Sequence, residues 1–517
     1  MSDVCREDIS NELPGESAAV SLDEIFNNDR LGTMTTTPLS EHVPHSNPQA
    51  EVAHRPLLRT RDVVSLILGI VVGVSIFRVP GDVFSLAGEP EMALFIWGLG
   101  AFLAFCGALC YCELAAAWPE FGGEYVYLAR AFGSVCAFLF AWMTIFTVLP
   151  GNIGAAAFIL ADYAGQLHPT LASSPGIVAA VAILGLTALQ LVGFVAGRAT
   201  QNLLTVVKVL ALGTVLMCGF VLPAAPAALP VEAVTSGAGS LQWSSLGLAL
   251  VFVLYAYGGW NDAAMVTPEV ENCRRNMPRA LLLGLLLIAA LYLALNYGFW
   301  RVLGVEGAKH ASAPAAAVIE KAWGISASRV MSLIVMFSAL GAMNGMMFAG
   351  CRLLSAVGRD APVFRYWNHW NVRQVPVWSL LTLSALSLSM TVLVGLPAGR
   401  QLIDTLLTTL SLSPPNWEFY GGGFHLLVAA SAPVFWVFFF LSAFALIVLR
   451  WKEPDRPRPF RVPFYPIPVL IFLATSGYMF WSSVNYAGRM TVLLSPILLI
   501  GIVVAFIGCG REKRLKT

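Results

Sequence analysis

The sequence predicts an all-α integral membrane protein of twelve transmembrane helices, and three observations lead there. Of 517 residues 57% are hydrophobic and only 12% charged, too few charges to coat a soluble chain of this length. Twelve stretches stay apolar for about 20 residues, the length at which a helix crosses the hydrocarbon core of a bilayer. The first and the sixth of these stretches are interrupted by glycine, which marks unwound backbone at membrane depth. The net charge of +1 gives no footing for nucleic-acid binding.

The elements follow in order. Residues 1–54 are polar and proline-spotted, acidic at the start, with neither the basic start nor the apolar core of a signal peptide; they are expected to form a disordered cytosolic tail. The first apolar segment, 63–86, contains Gly69-Ile-Val-Val-Gly73-Val-Ser-Ile-Phe-Arg-Val-Pro80. Segments 92–117, 135–163, 177–196 and 203–222 follow without such a break, and the sixth, 244–267, is broken at Tyr255-Ala-Tyr-Gly-Gly-Trp-Asn261. Segments 280–303, 330–357, 377–396, 426–449, 467–486 and 491–507 complete the set. Before the tenth lies a long mixed stretch, 398–424, in which 402–412 has the pattern of an amphipathic helix on the outer surface. The expected organisation is a tail over 1–54, a ten-helix transport core over 55–450, helices 11 and 12 over 451–510, and a cytosolic end over 511–517.

Cations orient the chain. With both termini in the cytosol, 21 Lys and Arg residues fall on that side, among them Arg59, Arg61, Arg130, Arg274, Arg275, Arg279, Arg365, Arg450 and Arg458. The other side holds 6: Arg301, Lys309, Lys321, Arg329, Arg400 and Arg489. The excess of positive charge inside places both ends in the cytosol. From Gly73 to Gly258 the chain makes five crossings, so the two broken segments run in opposite directions, as an inverted repeat requires. The nine cysteines avoid the outer loops and imply no disulfide framework. Cys106 and Cys110 share a helix face, Cys112 does not, and no histidine falls inside any of the twelve segments; neither a metal site nor a cofactor is expected. The segment centres hold almost no His, Asp or Glu, so no enzyme activity is expected.

Several motifs in order resemble one family: Gly73-Val-Ser-Ile-Phe77, Tyr111-Cys-Glu-Leu114 with Pro119-Glu-Phe-Gly-Gly-Glu-Tyr-Val-Tyr-Leu128, Tyr257-Gly-Gly-Trp-Asn261 with Thr267-Pro-Glu-Val-Glu-Asn272, and Gly341-Ala-Met-Asn-Gly345. Together they are similar to the L-type amino acid transporters of the amino acid, polyamine and organocation superfamily, from Arg61 to about Gly510. The resemblance implies a LeuT-like 5+5 inverted repeat with broken helices 1 and 6, and alternating-access movement of amino acids at the plasma membrane. It also departs in places. The family's usual small hydroxyl residue and glycine are replaced by Val74 and Ser75, and a side chain at Ser75 narrows the cavity toward smaller or differently shaped substrates. Eukaryotic light chains of the family carry a cysteine in the loop between the third and fourth helices, whereas 164–176 has none, so no disulfide-linked heavy chain is expected.

An amino acid zwitterion in such a cavity must have both charges satisfied, since an unpaired one is expensive at bilayer depth. Free N–H groups at Val74, Ser75 and Ile76 are the candidate holders of the carboxylate, aided by the positive end of the outer half-helix. Carbonyls at Ile70, Gly73 and along Tyr255, Ala256, Tyr257 and Gly258 are the candidates for the ammonium, with Asn261 beside them. By resemblance Tyr255 is an aromatic gate over the substrate. Arg78 sits at the unfavourable end of a helix dipole and is expected either to pair with Asp82, one turn on, or to meet anionic groups of the substrate in the vestibule. Lys208, about six residues into the fifth segment, is implied by the resemblance to stand where sodium-coupled relatives place a metal ion, between the first and eighth helices. Glu113 is expected to be a hydrogen-bonded structural acid. The alternatives left open are a carrier of cationic amino acids or polyamines, for which Asp262 is the nearest acid, and a transport-dead nutrient receptor.

Overall fold

The computed structural model describes residues 58–515 apart from 121, 193–197, 227–242, 361 and 372–374; the expected tail over 1–54 lies outside these. The described secondary structure is helical, with two isolated bridges, Leu58 to Val270 and Trp370 to Pro376.

The first expected segment is two short helices, α1 (Thr60–Val71) and α2 (Val79–Ala87), separated by a 3-10 turn, Ser75–Phe77. Helix α1 stops because the Gly73 N–H turns back to the Val71 carbonyl at 2.6 Å, and α2 restarts on a proline in its first turn, where the missing N–H leaves nothing unpaired. Proline likewise opens α3 (Pro90–Ala117). A short helix, α4 (Glu124–Phe132), follows, starting after Gly123 at φ 50. An added Cβ on Gly123 would meet Met265 at 3.4 Å, an ordinary contact, so it is the left-handed turn that requires glycine.

The third expected segment is α5 (Ser134–Met143) and α6 (Leu149–Gly165), joined without interruption by a π turn at Thr144–Val148. Pro150 removes an N–H from the ladder, and the wider turn just before it absorbs that loss. Short α7 (Pro169–Ala172), then α8 (Pro175–Leu191) and α9 (Arg198–Val221) complete the first half. The sixth segment is α10 (Trp243–Tyr257), a break at Gly258 and Gly259, and a 3-10 helix over Trp260–Glu269.

The second half continues with α11 (Cys273–Lys309), which carries a kink at Gly304, then α12 (Pro314–Trp323) and α13 (Ile325–Asp360). Helices α14 (Val377–Gly395) and α15 (Pro397–Thr409) are followed by α16 (Gly423–Lys452), α17 (Ile467–Ala487) and α18 (Leu494–Leu515). Helix α15 covers most of the amphipathic stretch read from the sequence. Ile403 and Leu407 are buried on it while Leu402, Leu406 and Leu410 are exposed, and Asp404 accepts from the Trp417 indole at 3.0 Å. Helices α4 and α12 have no counterpart among the expected segments, because each is too short to register as an apolar run.

Among the described residues seven helical stretches are long and apolar enough to cross a membrane: Pro90–Ala117, Ser134–Gly165, Cys273–Lys309, Ile325–Arg359, Val377–Gly395, Gly423–Lys452 and Ile467–Ala505. Pro175–Leu191 and Val206–Val221 are apolar but shorter. The first and sixth expected segments fall below that length because each is interrupted: α1 has 12 residues, about 18 Å at 1.5 Å per residue.

The two interrupted segments lie against each other. Helix α1 packs on the 3-10 helix over Trp260–Glu269, and α2 packs on α10. The first part of each pair therefore meets the second part of the other, so the two run antiparallel. The start of one is also tied to the end of the other, with the Leu58 N–H donating to the Glu269 carbonyl at 3.0 Å and the Glu271 N–H donating to the Leu58 carbonyl at 2.9 Å. Helix α11 packs on α1, α2, α3 and α9, and its approach to α9 is a glycine contact between Gly219 and Gly298.

Candidate functional site

The two breaks touch. A Cβ built on Gly259, at φ 100, would fall 2.9 Å from Ile70 Cγ2, so the second break presses its backbone against the end of α1. A residue not singled out from the sequence joins them. The Tyr292 hydroxyl, from the middle of α11, reaches the Val71 carbonyl at 2.8 Å and the Ala256 carbonyl at 3.3 Å. The sequence does carry a signal for it. Tyr292 and Asn296 are spaced four apart in an otherwise apolar run, and polar groups at membrane depth need partners.

Around this contact the predicted residues are distributed unevenly. The backbone bonds closing the first break are Gly73 N–H to Val71 O, Phe77 N–H to Val74 O and Arg78 N–H to Ser75 O. None of these uses the N–H groups of Val74, Ser75 or Ile76, which head the turn as helix-start donors do. The Ser75 side chain is buried. Of the expected acceptors, Ala256 O is engaged by Tyr292 and Tyr255 O by the Gly258 N–H at 3.1 Å. Ile70 is 37% exposed, and Gly73 has only the Ile70 and Val71 carbonyls near its missing Cβ, at 3.6 and 3.7 Å. Tyr257 is fully buried, its ring packed between Trp97 and Tyr292 and its hydroxyl donating to the Trp97 carbonyl at 3.4 Å. Tyr255 is half-buried with its ring edge-on to Phe424 at 5.9 Å.

On the α2 side of the breaks lies a compact ion cluster. Arg78 donates to Asp82 at 3.0 Å and, through Nε, to Asp162 of α6 at 3.0 Å. His425 Nε2 lies 3.1 Å from Asp82. The guanidinium also stands 5.9 Å from the centre of the Phe424 ring. Two carboxylates thus compensate the arginine for its position at the start of α2. The histidine corrects the expectation that none lies within a membrane segment: the tenth helix starts at Gly423, not at 426, and encloses His425 in its first turn. The polar start hid that turn from a hydropathy reading.

On the α1 side a second polar cluster forms. Asn261, buried past the second break, donates to Glu124 at 3.3 Å and to Asp262 at 3.2 Å, and the Tyr111 hydroxyl also donates to Glu124. Helix α4, outside the twelve expected segments, delivers this carboxyl. Burial pushes its pKa up to about 7; the Tyr111 and Asn261 hydrogen bonds oppose the rise and the nearby Asp262 charge adds to it. Asp262 itself is exposed. Glu124 lies within a motif already quoted for its resemblance, yet nothing in the local sequence shows that α4 folds under the break.

Lys208 is 8% exposed on α9, which packs against α11 and α13, and among the described residues it has no ion-pair or hydrogen-bond partner. In α13 the motif residue Asn344 accepts from Gln190 of α8 at 2.9 Å. Glu113 is fully buried, taking a two-pronged contact from Arg450 at 2.8 and 2.6 Å and the Val462 N–H at 2.7 Å. It ties α3 to the connection between α16 and α17.

Residues 58–505 match the model of the amino acid permease family. The chain is 28% identical over 414 residues to the b(0,+)-type amino acid transporter 1 of Homo sapiens, covering 79% of each protein. It is 29% identical over 453 residues to the large neutral amino acids transporter small subunit 2 of Homo sapiens, covering 86% of this chain and 78% of that one. The rabbit b(0,+)-type transporter 1 is 27% identical over 403 residues, 77% of each.

Proposed function

The chain belongs to the amino acid permease family of the amino acid, polyamine and organocation superfamily, and on that premise we propose that it is a multi-pass secondary-active transporter, exchanger or permease, that moves neutral L-amino acids by alternating access. One observation carries the reading: two glycine breaks in antiparallel segments meet, tied by the Tyr292 hydroxyl between the Val71 and Ala256 carbonyls. In this reading each interrupted pair forms one of twelve spans, with α17 and α18 taken as two, in a LeuT-like 5+5 arrangement with both termini cytosolic. In this reading the N–H groups of Val74, Ser75 and Ile76 hold the substrate carboxylate. The Ile70 and Gly73 carbonyls take the ammonium, since those of Tyr255 and Ala256 already accept a bond. Tyr255 acts as the lid. The arginine cluster on α2, α6 and α16 closes the outer side, while exposed Ile70 and Asp262 line the inner path.

Liposomes with the purified protein test this. Uptake of labelled alanine or leucine is expected to be competed by neutral L-amino acids and not by their methyl esters or deaminated analogues, each of which leaves a buried group unpaired at a cost of about 2 kcal/mol, roughly thirtyfold. Equal competition by putrescine, which has no carboxylate, would overturn it. Asp262 supports a second reading, a cationic amino acid or polyamine carrier, because it is an exposed carboxylate beside the break with no basic partner among the described residues. That reading requires lysine uptake that falls in Asp262→Asn while leucine uptake does not.

A further inference from the structure

Helix α11 begins with an unusual charge arrangement. Arg274, Arg275 and Arg279 occupy its first two turns, all exposed. A helix start is the unfavourable end for a cation, and Arg275 and Arg279 are like charges four residues apart, which destabilises a helix further. Among the described residues no acid pairs with any of the three, whereas several cations at the end of α16 and on the connection after it have partners: Arg450 and Arg458 at Glu113, Lys452 at the Ala131 carbonyl, Arg456 at the Ala117 carbonyl. The three arginines therefore carry their charge at the α11 start with no acid paired to them among the described residues.

They also share a cavity. Together with Pro278, Leu282 and Phe460 they line a space of about 420 Å³ between the start of α11 and the connection from α16 to α17. Its two ends differ in chemistry. Arg274 lies eight residues before Leu282, about 12 Å along the helix axis, so the cavity runs from a cationic rim to the beginning of an apolar membrane-length helix. Phe464 on the same connection and Ile467 at the start of α17 are 85% and 59% exposed, as apolar side chains are where a protein enters the interfacial region of a bilayer.

We infer that this cavity binds the phosphate headgroup of an anionic phospholipid. The guanidinium forks of the three arginines that line the cavity hold the phosphate, and the first acyl carbons lie along Leu282 and Phe460. A free phosphate satisfies only the rim and leaves the apolar end uncovered, so the lipid is the ligand that matches both. The site is independent of the substrate reading above.

Native mass spectrometry of the full chain in neutral detergent, titrated with phosphatidylglycerol or phosphatidylcholine, tests the site. Phosphatidylglycerol adducts are expected to exceed phosphatidylcholine adducts. The excess should fall about fivefold for each arginine lost and about a hundredfold in the triple variant Arg274→Gln, Arg275→Gln, Arg279→Gln, and should persist in Arg365→Gln, an exposed arginine elsewhere. An equal loss in Arg365→Gln means general surface charge and overturns the cavity. Displacement of the lipid by millimolar inorganic phosphate overturns the lipid as the ligand. A measurement without variants guards against misfolding: phenylglyoxal modification of the three arginines should drop in vesicles of equal parts phosphatidylglycerol and phosphatidylcholine relative to phosphatidylcholine alone, and unchanged modification refutes the inference.

Discussion

Lys208 holds an ammonium on a buried face of α9 with no acidic neighbour among the described residues, a position that costs stability unless function retains it. Lys208→Ala is therefore expected to leave expression and thermal stability intact or raised while abolishing uptake in liposomes; uptake near the parent level would assign the lysine to snorkelling. Glu124 makes a prediction in pH. Its folded-state pKa of about 7 lies above its ordinary value near 4.5, so between those values the folded protein keeps a proton that the unfolded chain has lost. Stability from this group is complete at low pH and declines as pH rises through that window, by about 3 kcal/mol in all. Thermal unfolding of the solubilised protein from pH 4.5 to 7.5 should show the decline, and Glu124→Gln should flatten it. Glu124 was present in the sequence as part of a motif, but its burial was not legible, because the Asn261 that receives it is 137 residues away.

At the scale of elements, glycine does two different jobs in the breaks. Gly259 is required by conformation and by contact, with φ 100 and Ile70 Cγ2 2.9 Å from a Cβ. Gly259→Ala is expected to destabilise the fold by about 1–3 kcal/mol and to lower its unfolding temperature. Gly73 has ordinary space around a Cβ, so Gly73→Ala should fold with an unchanged unfolding temperature yet lose transport, because the added methyl stands beside the proposed ammonium acceptors. Transport at the parent level in Gly73→Ala would remove this carbonyl from the site. Both breaks were legible as glycine runs inside apolar segments. The tie between them was not: Tyr292 is one of 13 tyrosines, and only the tertiary packing of α11 brings its hydroxyl to the carbonyls of Val71 in α1 and Ala256 in α10 at once.

For the whole molecule the cation count sets direction. If both termini are cytosolic, Ser173, exposed between α7 and α8, faces outward. A cysteine placed there should react with an impermeant maleimide in intact cells, and labelling only after lysis would invert the topology. The ion cluster of Arg78, Asp82, Asp162 and His425 joins α2, α6 and α16 on the far side of the breaks from Asp262. In the proposed alternating-access reading, an opening that separates α2 from α6 or α16 would part these charges.

The amino-acid sequence by itself determined the class, the breaks and the family, since each follows from local composition: apolar length, glycine within it, and motifs in order. Arg78 with Asp82 was also within reach, because four residues on a helix is a neighbour. What only the tertiary structure decided is which distant groups meet. Asp162 and His425 reach Asp82 and Arg78 from two other helices, Tyr292 spans two breaks, and Glu124 lies under Asn261. Buried polar groups must find partners wherever packing brings them, and in a chain whose segments are nearly uniform in hydropathy, one apolar face predicts little about which neighbour it will touch.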